Sequence, residues 1–207
     1  MIAGAFDFST IDPLHERLCL DFTNTTPFHH NLSEDHLQTY ADLISWSLNV
    51  DLLDEQEALR LLDVAARQPS QAAAALHQAI VLREAIYRIL SDIAGGQTPD
   101  SADLDTFNTA LSAAMAHMRI APQGSGFGWE WVGEEDHLEQ MLWPVAWSAA
   151  ELLLSDDRQY IRECGGHDCD WLFLDTSRNH SRRWCDMKTC GNRAKARRHY
   201  RRAKGAE

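Results

Sequence analysis

Apolar residues recur at helical spacing through most of the first 155 positions. Leu37, Tyr40, Ile44 and Leu48 share one face, so the pattern predicts an amphipathic helix over 35–49. Asp54 with Glu57 has the form of a capping box, and the helix it opens runs to about Arg67. From Ser70 an alanine-rich helix carries Leu76, Ile80, Ile86, Leu90 and Ile93 to a stop at Gly95-Gly96. Another follows Pro99, with Leu104, Phe107, Leu111 and Met115 on one face. Ahead of these, LHERLCLDFTN at 14–24 is a short apolar stretch ending in turn formers, with His29 and His30 in the loop beyond it.

The period then changes to two. Met118, Ile120, a Gly-Ser-Gly break, Phe127, Trp129 and Trp131 alternate with polar or small residues, which predicts a β-hairpin. Helical spacing returns over 136–154, with Leu138, Met141, Val145, Ala149 and Leu152 inward and a kink expected at Pro144. SDDRQ at 155–159 is polar and marks a boundary. The expected architecture is mainly α: a helical domain with a β-hairpin over 1–157, then a small α+β module over 158–207. The first part is large enough for its own core.

Charge sharpens this division. Residues 1–157 carry 6 of the 19 Lys and Arg and 25 of the 31 Asp and Glu, a charge of −19; residues 158–207 carry the other 13 and 6, a charge of +7. The net value of −12 conceals that asymmetry. A basic segment beside an acidic one points to a polyanionic partner for the basic part. The acidic half is expected either to face away from that partner or to cover the basic segment. No apolar run approaches the roughly 18 residues of a membrane span, and the N-terminus lacks a secretory pattern, so a cytoplasmic protein is expected.

Four of the five cysteines lie within 27 residues: Cys164 and Cys169 form one C-x4-C pair, Cys185 and Cys190 a second, with fifteen residues between. An odd count without a secretory signal argues against a disulfide framework. Each pair sets two thiolates on a tight turn, and the interval between them accommodates a hairpin that brings the turns together. Four sulfurs in tetrahedral array satisfy one Zn²⁺ and leave no open position, so the metal is expected to be structural. His167 and His180 are competing donors, but four thiolates already close the shell. A module of this size buries too little to fold alone, and a structural zinc contributes roughly 10–16 kcal/mol.

Within the module, WLFLD at 171–175 reads as a buried strand and TSRN at 176–179 as a turn. GNRAKARRHYRRAK after Cys190 is rich in helix formers, and no acidic residue lies between Met187 and Gly205. Asn192 is expected to cap this helix. Arg193, Lys195, Arg197, Arg198, Arg201 and Arg202 on it, with Arg178, Arg182 and Arg183 before the third cysteine, are the candidate phosphate contacts. Trp171, Phe173 and Trp184 read as a mini-core over the zinc, or as bases' stacking partners if exposed. Knuckle, hairpin and helix together are similar to a treble-clef-type finger.

The segment LFLDTSRNHSRRWCDMKTCGNRAKARRHYRR resembles the CGNR zinc finger, named for the tetrapeptide at Cys190-Gly191-Asn192-Arg193. LCLDFTNT at 18–25 and WPVAWSAAELL at 143–153 resemble the ABATE domain that usually precedes that finger. The resemblance implies a bacterial, stress-induced transcription regulator, with the metal role carried by Cys164, Cys169, Cys185 and Cys190. HDCDW departs from a basic pattern by setting His167, Asp168 and Asp170 around the second ligand.

The leading expectation is a DNA-binding transcription regulator whose helical domain senses a small-molecule effector or forms a homodimer. An RNA-binding or protein-interaction module using the same finger is the alternative, and exposed aromatics would favour it. An enzyme in the helical domain is the third: Asp21, Asn24, His29, His30, Glu34 and His36 cluster in sequence. No HExxH, GxSxG or phosphate loop accompanies them, so no catalytic residue is assigned.

Overall fold

A computed structural model describes residues 2, 4–8, 17–29, 34–133 and 136–204, without the side chains of 202 and 203. His30 and the first residues of the 14–24 stretch therefore lie outside the described residues. The stretch that follows is helical. Helix α1 (Leu18–Thr23) buries every residue after Leu18, as a short helix packed on all sides must. It lies against both the longest helix and the last helix of the body.

Helix α2 (Tyr40–Asn49) begins later than the apolar spacing predicts. Thr39 accepts from the Asp42 N–H through its hydroxyl, and Asp42 accepts from the Thr39 N–H at 2.6 Å, a capping box that fixes the start. Leu37 is buried from the preceding loop instead. Helix α3 (Glu55–Arg67) opens on the expected Asp54–Glu57 box, with both reciprocal bonds at 2.8 Å. Helix α4 (Pro69–Ala94) starts with Pro at its first turn and stops at Gly95-Gly96, where Gly96 takes the left-handed φ of +71°. Asp100 caps helix α5 (Ser101–Met115).

Strands β1 (Met118–Gln123) and β2 (Gly126–Trp131) form the expected antiparallel hairpin, in register from Met118↔Trp131 to Gln123↔Gly126. Helix α6 (Leu142–Leu154) starts six residues later than expected, so Pro144 lies in its first turn. There the missing N–H had no intrahelical partner to lose, so the expected kink has no cause. Leu138, Met141, Val145, Ala149 and Leu152 are buried as the spacing indicates.

Helix α4 is the spine: α1, α2, α3, α5 and α6 all pack on it. A 3-10 turn, Asp156–Tyr160, leads from the body straight into strand β3 (Ile161–Glu163), which pairs antiparallel with β4 (Leu172–Leu174). Ile161, Leu172 and Leu174 join the same apolar core as Leu20, Leu43, Val145 and Leu152. Each fully buried aliphatic of this kind is worth about 1.5–3 kcal/mol. The strand pair therefore brackets the first cysteine pair, and does not occupy the interval between the pairs as the spacing suggests. Its apolar side chains find a core in the helical body that the finger could not supply. Beyond β4 the chain runs irregularly to a wide turn, Met187–Gly191, and helix α7 (Asn192–Lys204). The class is mainly α with small antiparallel pairs and a C-terminal finger.

Candidate metal centre and nucleic-acid interface

The strand pair sets the first knuckle. Cys164 follows β3 and its N–H donates to the Trp171 carbonyl at 2.9 Å, closing the loop that carries Cys169. Residues 24–27, just after α1, hold this loop from the other side. Asn24 donates through Nδ2 to the Leu172 carbonyl at 2.9 Å and accepts from the Leu172 N–H at 3.0 Å. Trp171 Nε1 donates to the Thr26 carbonyl at 3.1 Å, and the Asp170 N–H to the Pro27 carbonyl at 3.4 Å.

The second knuckle is the wide turn before α7. Asp186 caps it, its carboxylate accepting from the Lys188 and Thr189 N–H groups at 3.1 and 2.9 Å. Burial pushes this carboxyl up, but those two donors prevail and hold it below the usual range. Asn192 is thus an interior residue of a continuous helical run rather than its cap, and donates back to the Lys188 carbonyl at 3.0 Å. The cap falls earlier because helical turns begin at Met187, just ahead of the fourth cysteine.

The two knuckles bring Cys164, Cys169, Cys185 and Cys190 together, with all four sulfurs within 4.8 Å of one another. Cys169 to Cys185 and Cys185 to Cys190 are both 3.7 Å. That is far too long for a disulfide. It fits a tetrahedron with Zn–S bonds of about 2.3 Å, whose edges are about 3.8 Å. All four residues are buried. Hydrogen bonds from Cys169 and Cys185 pull the Cys164 thiol far down, while the Cys185 thiol, bonded to Cys164 and Cys169, is pushed far up. Four such sulfurs cannot all ionise side by side without a cation between them. Gly166 lies close against the cysteines: a Cβ on it would meet Cys164 Sγ, Cys169 Cβ and Cys190 Sγ at 3.3 Å each, tighter than an ordinary contact. Trp171 and Trp184 pack half-buried against the cysteines and Phe173 is fully buried among them, the mini-core expected over a zinc.

Neither histidine competes. His167 is exposed and pairs with Asp168. His180, at a left-handed φ of +45°, stacks on Tyr160 at 4.0 Å, and its Nδ1 lies 2.9 Å from the Asp175 carbonyl. His29 and His36, grouped in the sequence, have separate partners: His29 stacks on Tyr87 at 3.3 Å and meets Glu84 at 2.9 Å, whereas His36 stacks on Phe6 at 4.0 Å. Among the described residues, the four cysteines are the one group with metal-ligating geometry.

The candidate phosphate contacts separate by position. Arg182 turns inward: its guanidinium donates to the Trp184 and Cys185 carbonyls and lies 4.6 Å over the Phe173 ring, so it holds the finger together. Arg178 and Arg183 are exposed before the third ligand. On α7, Arg193, Lys195, Arg198 and Arg201 are exposed, and the Arg202 side chain lies outside the described residues. Arg193 also donates to Cys190 Sγ at 3.2 Å, which offsets thiolate charge. Arg193, Arg197, Arg198 and Arg201 line one wall of a groove of about 470 Å³, with the knuckle at 165–168 opposite. Arg197 pairs across it with Asp168. Among the described residues, most of the cations of this helix stay exposed.

Two residues tie the body to the finger in roles that sequence reasoning did not assign. Asn24 is one; Arg83 is the other. Arg83 is fully buried on α4 and donates to Asp35 at 2.5 and 2.8 Å and to Thr25 at 3.1 Å. A lone arginine within AIVLREAIY was the available signal. No described helix is long and apolar enough to cross a membrane.

Family comparisons divide the chain where the charge does. The ABATE family, described as "Putative stress-induced transcription regulator", matches residues 16–156, and the CGNR zinc finger matches residues 160–203. No curated protein matches the chain significantly.

Proposed function

The chain belongs to the ABATE family, with a CGNR zinc finger that fits one structural zinc, and from that premise we propose that this zinc-binding regulator binds duplex DNA through α7. One observation carries the reading: Arg193, Lys195, Arg198 and Arg201 are exposed on a helix anchored at its start by the metal ligand Cys190. Zinc held by the four cysteines supplies a rigid mount and no chemistry on a substrate. The chain's own residues orient the helix, and its cations meet phosphates.

DNA is favoured over RNA because the finger's tryptophans are packed against the cysteines rather than offered to bases. The helical body is the sensing or dimerising part, acting in a bacterial cytoplasm, and no residue is assigned a catalytic role. Support for dimerisation comes from the hairpin: Ile120, Phe127 and Trp129 share one face and are 63%, 80% and 54% exposed. The test is a comparison of duplex DNA, single-stranded DNA and RNA in salt titrations. Replacing Arg198 and Arg201 by Gln is expected to lower the duplex salt slope by about two. Equal binding to RNA, or an unchanged slope, would move the interface elsewhere.

A further inference from the structure

The departure from a basic pattern at HDCDW has a place in this geometry. His167 and Asp168 form the far wall of the groove whose near wall is the arginine face of α7. Asp168 lies between His167 and Arg197 and is bonded to both. Among the described residues, Arg197 is the one of that face whose guanidinium reaches across to a carboxylate of the opposite wall. Both partners stay substantially exposed, at 40% and 44%. The pair is therefore weak, and an incoming anion can replace Asp168 without first opening a buried site.

We propose that this groove is a phosphodiester site held shut by Asp168, and that Arg197 exchanges the carboxylate for a backbone phosphate when nucleic acid docks. The inference rests on the DNA-binding reading above and adds to it a specific residue that opposes binding. The exchange has a thermodynamic signature. A free arginine that meets a phosphate releases about one counterion, contributing about 0.9 to the salt slope on duplex DNA. In this protein the freed Asp168 carboxylate takes up a cation as Arg197 leaves it, so the net release at this contact is close to zero. Remove the carboxylate and the full contribution returns.

The experiment uses the full-length zinc-loaded protein and a short mixed-sequence DNA duplex, titrated over a range of salt. Asp168→Asn is expected to bind roughly two- to five-fold more tightly at low salt, the range an exposed ion pair commands, with a salt slope steeper by about 0.9. In an Arg197→Gln background the same substitution should produce no gain, because the coupled partner is absent. Asp157→Asn, which makes the same change in net charge at the pair with Arg17, should leave the slope unaltered. Equal zinc content in all variants shows that the knuckle is intact. A gain that persists without Arg197, or one matched by Asp157→Asn, would overturn the latch and leave only a general charge effect. Unchanged binding by Asp168→Asn would remove the latch while leaving the DNA-binding reading in place. Absence of binding by both wild type and Asp168→Asn would refute that reading and the latch with it.

Discussion

Replacing Asn24 by Ala tests the joint between body and finger. Asn24 is 3% exposed, and its side-chain amide satisfies both backbone groups of Leu172, itself 0% exposed. Alanine leaves that N–H and that carbonyl without partners, in a place water does not reach. An orphaned buried group costs about 1–3 kcal/mol, so the pair should cost about 2–6 kcal/mol. Against a total stability of roughly 5–15 kcal/mol this is a large fraction. At roughly 2–4 °C per kcal/mol in a chain of this length, Tm should fall by on the order of 10 °C. The loss should also be local. Strands β3 and β4 are three residues each, so their pairing depends on what flanks them. Hydrogen exchange should accelerate first at the amides of Leu172 and Cys164, ahead of α4. Asn24→Asp keeps the acceptor for the Leu172 N–H but turns a carboxylate oxygen on its carbonyl, and should cost no less. Urea denaturation with tryptophan fluorescence reads the global term. A loss under about 1 kcal/mol, or unchanged protection at Leu172, would refute the reasoning.

Metal analysis should give one zinc per chain, and Gly166→Ala, whose methyl meets three cysteines at 3.3 Å, should weaken zinc binding about ten-fold or more in a chelator competition while keeping every ligand. Acid should destabilise the body through Glu84: burial pushes this carboxyl up, but the His29 hydrogen bond and the Arg83 guanidinium outweigh it and hold the pKa below its ordinary 4.5. Its contribution is therefore complete above about pH 4.5 and is lost as pH falls through the lower folded-state value, so Glu84→Gln should flatten the acid limb of a stability–pH profile. Phe127→Ser with Trp129→Ser should lower the dimer population in sedimentation without changing zinc content; a wild type that is monomeric at all concentrations would remove the dimer reading.

Much of this molecule was legible in its sequence, and the failures share a cause. Spacing found the buried faces, because burial is what periodicity records: Leu37 and Leu138 are buried even though both lie just ahead of the helices that form. Boundaries failed where local bonds decide, at the Thr39–Asp42 box, at Asp186 and at Pro144. The four cysteines were readable because two short pairs leave little conformational choice. What could not be read was the destination of β4. A three-residue apolar strand looks the same whether it builds a finger's mini-core or joins a neighbour's core. Here Leu172 and Leu174 face the helices while Phe173 faces the cysteines, and the strand's alternation serves both.

That alternation explains why the LCLDFTNT stretch matters physically. A buried guanidinium is costly unless paired, and removing one partner from such a pair costs about 3–5 kcal/mol. Arg83 must therefore keep Asp35, and in that position it also donates to Thr25. Thr25 sits between Asn24 and Thr26, which hold Leu172 and Trp171. The charge buried in the body thus fixes the segment that fixes the finger, with the covalent link at 155–160 running in parallel. The charge division between the halves does not separate two independent bodies, because Ile161, Leu172 and Leu174 share the core of the helical part. Long-range field between them is screened over about 8 Å at physiological salt, whereas these hydrogen bonds act at contact. A body that moves its 24–27 segment moves the metal knuckle with it.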